Sequence, residues 1–482
     1  MSVVRDGKYV TLSVLASIVF ASLRAVLVLR FLGPVLMGAW KSALLVDTLG
    51  EFARLGVLRA MGIRVPVLDG KGDVKESARI TAIAGSFMFW LGIVLGLTIF
   101  GVSFFFENPD LRISLRFVAL AVAVTQPYYF LRELAGVKQE FVLRSKETLL
   151  RSAFDFIVAV VCCKFLGLYG LGLATSGALI AAALYLLRKQ RVPFQIKPDI
   201  KGIKELIRTG IPFSLTEAGY ELLRRLDVLL MAFLLGPAAV GYYGVSLLIM
   251  DVAIILTQKG ISQVVSPHLL KEFGRTGSFS AVAVYYEVPA RLFCYVLPPL
   301  LGAGTFLVGV FVRLALPQYG EGIEAAEVTL WAVFFVALHF SINAFFIASN
   351  MVPRILKLDV ILIPIAALAQ YTLMDFGWGI AGAAWCNLVT LALAAACELY
   401  IARSICGHDA AEIARFVGTL YFPLACSIAL KMFVDTWDLS PWLASEVLQA
   451  SAKAALFLVL SIPVFATYEG KFAMLRAARQ AM

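Results

Sequence analysis

Leu32-Gly33-Pro34-Val35-Leu36-Met37-Gly38 returns later in the chain as Leu235-Gly236-Pro237-Ala238-Ala239-Val240-Gly241. Each copy lies in a short turn between two apolar stretches. Six apolar stretches separate the copies, an even number, so two halves of like orientation are expected, related by an axis along a membrane normal. A weaker echo pairs Tyr169-Gly170-Leu171-Gly172-Leu173-Ala174 with Trp378-Gly379-Ile380-Ala381-Gly382-Ala383-Ala384. Such strings are common in membrane turns; equivalent placement is what gives this pair of copies weight.

Working outward from the two turns, apolar stretches fill most of the 482 residues, which are 61% apolar and 15% charged with a mean hydropathy of +0.87. A water-soluble core cannot absorb that much apolar surface. About 20 apolar residues cross a hydrocarbon layer, and fourteen candidate spans follow: 9–32, 36–59, 79–105, 113–134, 148–166, 170–188, 207–235, 239–265, 283–312, 325–348, 355–375, 378–402, 413–434 and 443–466. The first is longer than a signal-peptide core and carries Arg24 and Arg30 where a cleavage site would need small residues, so it reads as a retained span. The expected fold is an all-α polytopic membrane protein of about 14 transmembrane helices. Two pseudo-symmetric six-helix bundles, 1–190 and 207–404, would surround a central cavity, joined by a basic cytoplasmic linker over 191–206. Residues 405–482 would add two helices and a cytoplasmic tail.

The net charge of +10 follows topology rather than nucleic-acid binding. With a cytoplasmic N-terminus, the inner side receives Arg59, Arg64, Lys71, Lys75 and Arg79, then Arg132, Lys138, Arg144, Lys146 and Arg151. The densest cluster follows over 188–208, and Arg403 and Arg415 join it later, while the outer side receives few cations. The positive-inside rule thus selects cytoplasmic termini for a multi-pass inner-membrane protein. Seven scattered cysteines lack C-x-x-C spacing, and His268, His339 and His408 are dispersed, so neither a disulfide framework nor a metal site is expected, and no cofactor. His339, on an apolar face, reads as a packed interior residue.

Charges inside the spans cost about 2.5–3.5 kcal/mol each and therefore tend to face protein or a wet cavity. Asp47, Glu51 and Arg54 share one helix face; Glu217, Glu221, Arg224 and Arg225 form a similar stripe with Asp227 a turn beyond. Glu287 pairs with Arg291 at i, i+4, and Arg24 and Asp251 complete the set. Two readings are open for each sign. Arg24, Arg54, Arg224, Arg225 and Arg291 would recognise an anionic group such as a diphosphate, or pin helices together as internal salt bridges. Asp47, Glu51, Glu217, Glu221, Asp227 and Asp251 would hold a coupling proton or sodium ion, or neutralise the arginines. Gly210 with Pro212, and Pro289, Pro298 and Pro299 with Gly302 and Gly304, are expected to interrupt their helices as hinges, or to act as static kinks. A phosphate-binding G-x-x-x-x-G-K-[ST] loop is absent, as is any large outer loop with a catalytic set, so neither ATP-driven transport by this chain alone nor enzymatic activity is expected.

The stretches Arg30-Phe31-Leu32-Gly33-Pro34 to Gly38, Gly210-Ile211-Pro212 through Arg224-Arg225-Leu226-Asp227, and Leu235 to Tyr243 resemble the polysaccharide (O-antigen, Wzx-type) lipid-linked oligosaccharide flippases of the MOP superfamily. This superfamily also contains the MATE drug exporters and lipid II flippases. The resemblance implies export of an undecaprenyl-diphosphate-linked oligosaccharide, a polysaccharide repeat unit, from the cytoplasmic to the outer leaflet by alternating access coupled to a proton or sodium gradient. Arg24, Arg54, Arg224, Arg225 and Arg291 would then receive diphosphate or acidic sugar. Membrane lipids, a polysaccharide polymerase and glycosyltransferases are the implied partners, with no nucleic acid. The alternative is a MATE-like proton- or sodium-coupled exporter of small amphipathic molecules, whose cavity should be net acidic or aromatic. A membrane enzyme or scaffold of polysaccharide assembly comes third, without a catalytic constellation to support it.

Overall fold

The computed structural model describes residues 2–190, 192, 199–257, 269, 272–273, 275–348, 351–438 and 445–472. Most of the first half of the expected basic linker, the end of the eighth expected span with His268, and the C-terminal tail lie outside the described residues. The fold is all-α and polytopic, with no strand among the described residues. Packing divides the chain into two compact units, Met1–Gly241 and Tyr242–Met482.

The first unit begins with α1, Ser2–Ala53, which is two helical arms broken at Gly33. Gly33 has φ 71° and ψ 174°, and Gly236 in the second copy of the repeat has φ 86°. Glycine enters that region without the clash a Cβ would cause, and the proline that follows starts the next helical segment where no intrahelical N–H is needed. The Leu-Gly-Pro string is thus a device for turning a helix sharply. Helices α2 (Val57–Gly70), α3 (Val74–Val102), α4 (Pro109–Val137), α5 (Phe141–Leu166), α6 (Leu168–Lys189) and α7 (Ile200–Leu234) follow. Asp73, Asn108 and Asp199 cap α3, α4 and α7 by accepting hydrogen bonds from backbone N–H groups of the first turn.

Two sequence readings change here. Residues 59–79 were expected as a charged inner loop, yet α2 occupies most of them. It is too short to cross a membrane, and it buries Val57, Ala60, Met61 and Val65 against α3, α4 and Leu206 of α7. Arg144 and Lys146, expected ahead of the span at 148–166, instead lie on the same helix as Arg151, α5, which starts at Phe141.

The second unit contains α8 (Gly244–Thr257), α9 (Val284–Ala315), α10 (Ile323–Ala348), α11 (Val352–Leu373), α12 (Gly379–Ile405), α13 (Ala410–Asp435) and α14 (Glu446–Phe472). Helix α10 is the buried axis of this unit, packed against α8, α9 and α12, with Phe334, Val336, Ala337 and Leu338 fully enclosed. The last two helices dock on α9: Val434, Ala454 and Phe457 form a small core with Ala303, and Phe457 fills the space beside Gly302.

Nine stretches among the described residues are long and apolar enough to cross a membrane. Two of them, Leu15–Ala53 and Arg354–Ile405, are 39 and 52 residues long, enough for two crossings each. Helices α5 and α7 have the length, 26 and 35 residues, but carry many charges. Helix α8 reaches the edge of the described residues. The expected hinges are not breaks: α7 runs through Pro212, and α9 through Pro289, Pro298 and Pro299. A proline removes one helical hydrogen bond, and neighbouring helices let a membrane helix tolerate that loss.

Candidate functional site

In the first unit, backbones approach closely at both ends of the second arm of α1: the second copy of the repeat, just past α7, meets the start of that arm, and α7 itself meets the turn after its end. A Cβ at Gly38 would overlap the Pro237 carbonyl, and one at Gly241 would overlap the Pro34 carbonyl. The two copies of the repeat therefore grip each other reciprocally, the glycine of each against the proline of the other. At the opposite end Gly56 and Gly210 make the same kind of mutual contact. Small residues permit this approach, and it brings the charged stripes of the two helices together.

Glu221 on α7 holds two guanidinium groups. Arg224 donates from Nη2 to Oε1 at 2.5 Å and from Nε to Oε2 at 3.1 Å, while Arg225 Nε donates to Oε1 at 2.5 Å. Arg224 is 6% exposed and Arg225 32%. In the turn directly after α1, Arg54 donates from Nε to Gln126 Oε1 of α4 at 2.9 Å, lies 3.7 Å from Glu51 and stacks 4.3 Å from the centre of the Tyr129 ring. Its Nη2 is buried without a hydrogen-bond partner, as is Oδ1 of Asp47. Arg54, Arg225, Glu221 and Asp47 are all near enough to Glu51 to act on its charge, and Arg54 and Arg225 act on Asp47. A cavity of about 220 Å³ opens beside this cluster, lined among others by Glu51, Arg54, Arg59, Tyr129 and Glu133.

The structure thus brings Asp47, Glu51, Arg54, Glu221, Arg224 and Arg225 into one cluster. Arg24 sits apart on the first arm of α1, with Nε 2.9 Å from Asp155 Oδ2 of α5 and Nη2 donating to Thr175 Oγ1 of α6 at 3.1 Å. Asp227 is buried and accepts from the Val228 N–H at 2.7 Å. The side chain of Glu217 lies outside the described residues. Arg291 and the half-buried Asp251 belong to the second unit. There Glu287 is again shared by two arginines: Arg291 Nη2 at 3.4 Å, and Nη1 of Arg403, which comes from α12. His339 is packed inside as expected, but it is not alone: its Nδ1 is 2.8 Å from Glu398 Oε1.

Sequence reasoning missed Gln126, Tyr129, Asp155 and Glu398, and it placed Arg403 only among the inner-side cations. Asp155 and Glu398 lie inside expected spans, so the rule for intramembrane charges could have found them. Gln126 and Tyr129 are uncharged and give no such signal. Among the described residues, no group of three His, Cys, Asp or Glu side chains could hold a metal ion.

The cluster offers an unsatisfied guanidinium donor and an unsatisfied carboxylate oxygen within one set of coupled charges, a combination that suits an anion together with a proton or cation. Solved structures that share this fold include a lipid flippase and multidrug transporters. The lipid II flippase MurJ in an inward closed conformation aligns with a TM-score of 0.68 at 13% identity, over 95% of this chain and 98% of that one. An inward-facing multidrug resistance MATE transporter of the MOP superfamily gives 0.67 at 12% identity, over 83% and 95%. A Vibrio cholerae MATE transporter gives 0.59 at 15%, over 87% and 97%. No curated protein matched in sequence. The family model described as polysaccharide biosynthesis protein matches residues 3–246, more than half of the 482. The chain is therefore a member of the polysaccharide biosynthesis protein family, built on a fold it shares with MOP-superfamily transporters.

Proposed function

We propose that this protein is a flippase that moves an undecaprenyl-diphosphate-linked oligosaccharide from the cytoplasmic to the outer leaflet of a bacterial inner membrane, by alternating access and at the expense of a proton or sodium gradient. It acts without enzymatic chemistry, and both termini are cytoplasmic. The observation that carries this reading is the cluster on α1 and α7. Three arginines there can meet a diphosphate, and Arg54 keeps one donor unpaired. Guanidinium forks suit phosphate oxygens and keep their charge at every physiological pH. Asp47 and Glu51 lie on the same face, so loading or releasing a cation there changes the field that an anionic substrate meets. Arg24, Arg291, Glu217, Asp227 and Asp251 are assigned to the same translocation route on the strength of their intramembrane charge. Membership of a polysaccharide biosynthesis family supports a glycan as the cargo.

A strain lacking the protein should lose its surface glycan and accumulate the lipid-linked oligosaccharide on the inner leaflet, and Arg54→Ala should restore neither. Unchanged display in the deletion strain rejects the proposal. The rival reading, a cation-coupled exporter of small amphipathic molecules, draws on the shared fold with multidrug MATE transporters. Sensitivity of the deletion strain to cationic dyes, with normal glycan display, would favour it.

A further inference from the structure

A second polar cavity, of about 330 Å³, lies in the second unit where α9 begins and α12 ends. Glu287 and Arg291 of α9 line it together with Arg403, Cys406 and His408. Arg403 is 8% exposed and its Nε has no hydrogen-bond partner. Its guanidinium stacks 4.1 Å from the Phe416 ring centre, and that of Arg291 stacks 5.6 Å from the same ring. Arg403 Nη2 is 3.1 Å from His408 Nε2, whose Nδ1 is 2.9 Å from Glu412. Two guanidinium groups therefore share one carboxylate at the cavity wall, and the planar ring beneath both holds them in place. A buried guanidinium with an unused donor, beside a second one, is short of one anion.

The helix outside the cavity adds a second observation. Val284 and Val288 line the pocket, and the same i, i+4 row of α9 continues as Leu292, Val296 and Leu300, which are 39%, 40% and 57% exposed. A polar pocket thus opens onto an exposed apolar row. A ligand that fits both has an anionic head and a long hydrocarbon tail. A soluble phosphate would gain nothing from the row, and a neutral lipid would leave the arginines unmatched.

We infer that this pocket binds the phosphate group of a membrane lipid, held by Arg291 and Arg403, with its hydrocarbon chain laid along Leu292, Val296 and Leu300. Glu287 competes with the phosphate for both guanidinium groups, and with the phosphate bound two anions face the two arginines. The binding site itself is independent of the transport reading. Its role as the point where a lipid-linked diphosphate is first captured rests on that reading.

The test is native mass spectrometry of the full chain in detergent, titrated separately with farnesyl diphosphate, short-chain phosphatidic acid and inorganic pyrophosphate. Wild type should retain at least one of the two lipids, and pyrophosphate at least about tenfold more weakly, since the row contributes only to a ligand with a tail. Arg291→Gln should weaken lipid binding by about tenfold, as loss of a charge-assisted pair does. Glu287→Gln should strengthen it, because the competing carboxylate is gone; a purely structural ion pair would give no gain. Wild type that holds neither lipid overturns the inference, as does unchanged lipid binding in Arg291→Gln. Where Glu287→Gln is not monodisperse on size exclusion, Arg291→Gln alone decides. Farnesyl diphosphate preferred over phosphatidic acid supports capture of a polyprenyl substrate; the reverse preference supports a resident phospholipid at the same site. Because no transport is measured, failure here leaves the flippase reading standing, and failed transport leaves the binding result intact.

Discussion

Each unit clamps a glutamate between two arginines, but the two clamps are built differently. Around Glu221 both partners, Arg224 and Arg225, come from its own helix at i+3 and i+4. Around Glu287 one partner, Arg291, is on its own helix and the other, Arg403, is on α12. The first clamp sets the charge of a helix face without joining helices, and the Gly38–Pro237 and Gly241–Pro34 contacts do the joining there. The second clamp is itself a staple. An ion pair within one helix can be retuned while the fold persists; an ion pair between helices carries stability and binding together.

The largest effect should follow from opening the staple. Glu287→Ala leaves the buried Arg403 without its acid and should destabilise the protein by about 3–5 kcal/mol, the cost of breaking a buried pair, as read from SDS-induced unfolding. Glu221→Ala removes charged hydrogen bonds of about 1.5–3 kcal/mol, but Arg224 has further interactions, so the same assay should show a smaller loss while transport falls sharply. If the two substitutions cost the same, the distinction between clamp and staple is wrong.

Gly38→Ala tests what joins α1 to the second copy of the repeat, just past the end of α7. Its methyl group would overlap the Pro237 carbonyl, backbone that cannot rotate away, and should cost about 1–3 kcal/mol, as overpacking does. Protease susceptibility near the Leu-Gly-Pro turns should rise with it. A stability equal to wild type would mean that the glycine contacts are incidental.

The smallest effect belongs to the exposed pair at the start of α7. The Gly202 N–H, and then Arg79 at 3.2 Å, hold the Asp199 carboxyl below the usual carboxylate range. A depressed carboxyl contributes stability that is present above its unfolded value, near pH 4, and is lost as pH falls through the folded value. Arg79→Gln should move the Asp199 titration, followed by carboxyl-carbon resonances, only part of the way back, because the Gly202 bond remains. A full return would assign the whole effect to Arg79.

Much of this was legible in the residues. Leu-Gly-Pro announced the broken helices because only glycine takes the backbone angle at Gly33 and Gly236 without strain. The charged stripes were visible because a 3.6-residue period puts Asp47, Glu51 and Arg54 on one face. Partners across helices were not visible, since no local pattern links Arg24 to Asp155 or Arg403 to Glu287. Helix α2 was hidden because it buries an apolar face against protein while keeping enough charge to resemble a loop. Pro289, Pro298 and Pro299 suggested breaks because proline rules are local, whereas the tolerance of α9 for them comes from the helices packed around it.

The most direct test of the central claim is translocation of a lectin-detectable undecaprenyl-diphosphate oligosaccharide in proteoliposomes under an imposed proton or sodium gradient. Wild type should flip the lipid in a gradient-dependent manner, and Arg54→Ala and Arg224→Ala should lose most of that activity while remaining folded. Folded wild type that moves no lipid-linked glycan under either gradient, or variants that move it as fast as wild type, would contradict the account.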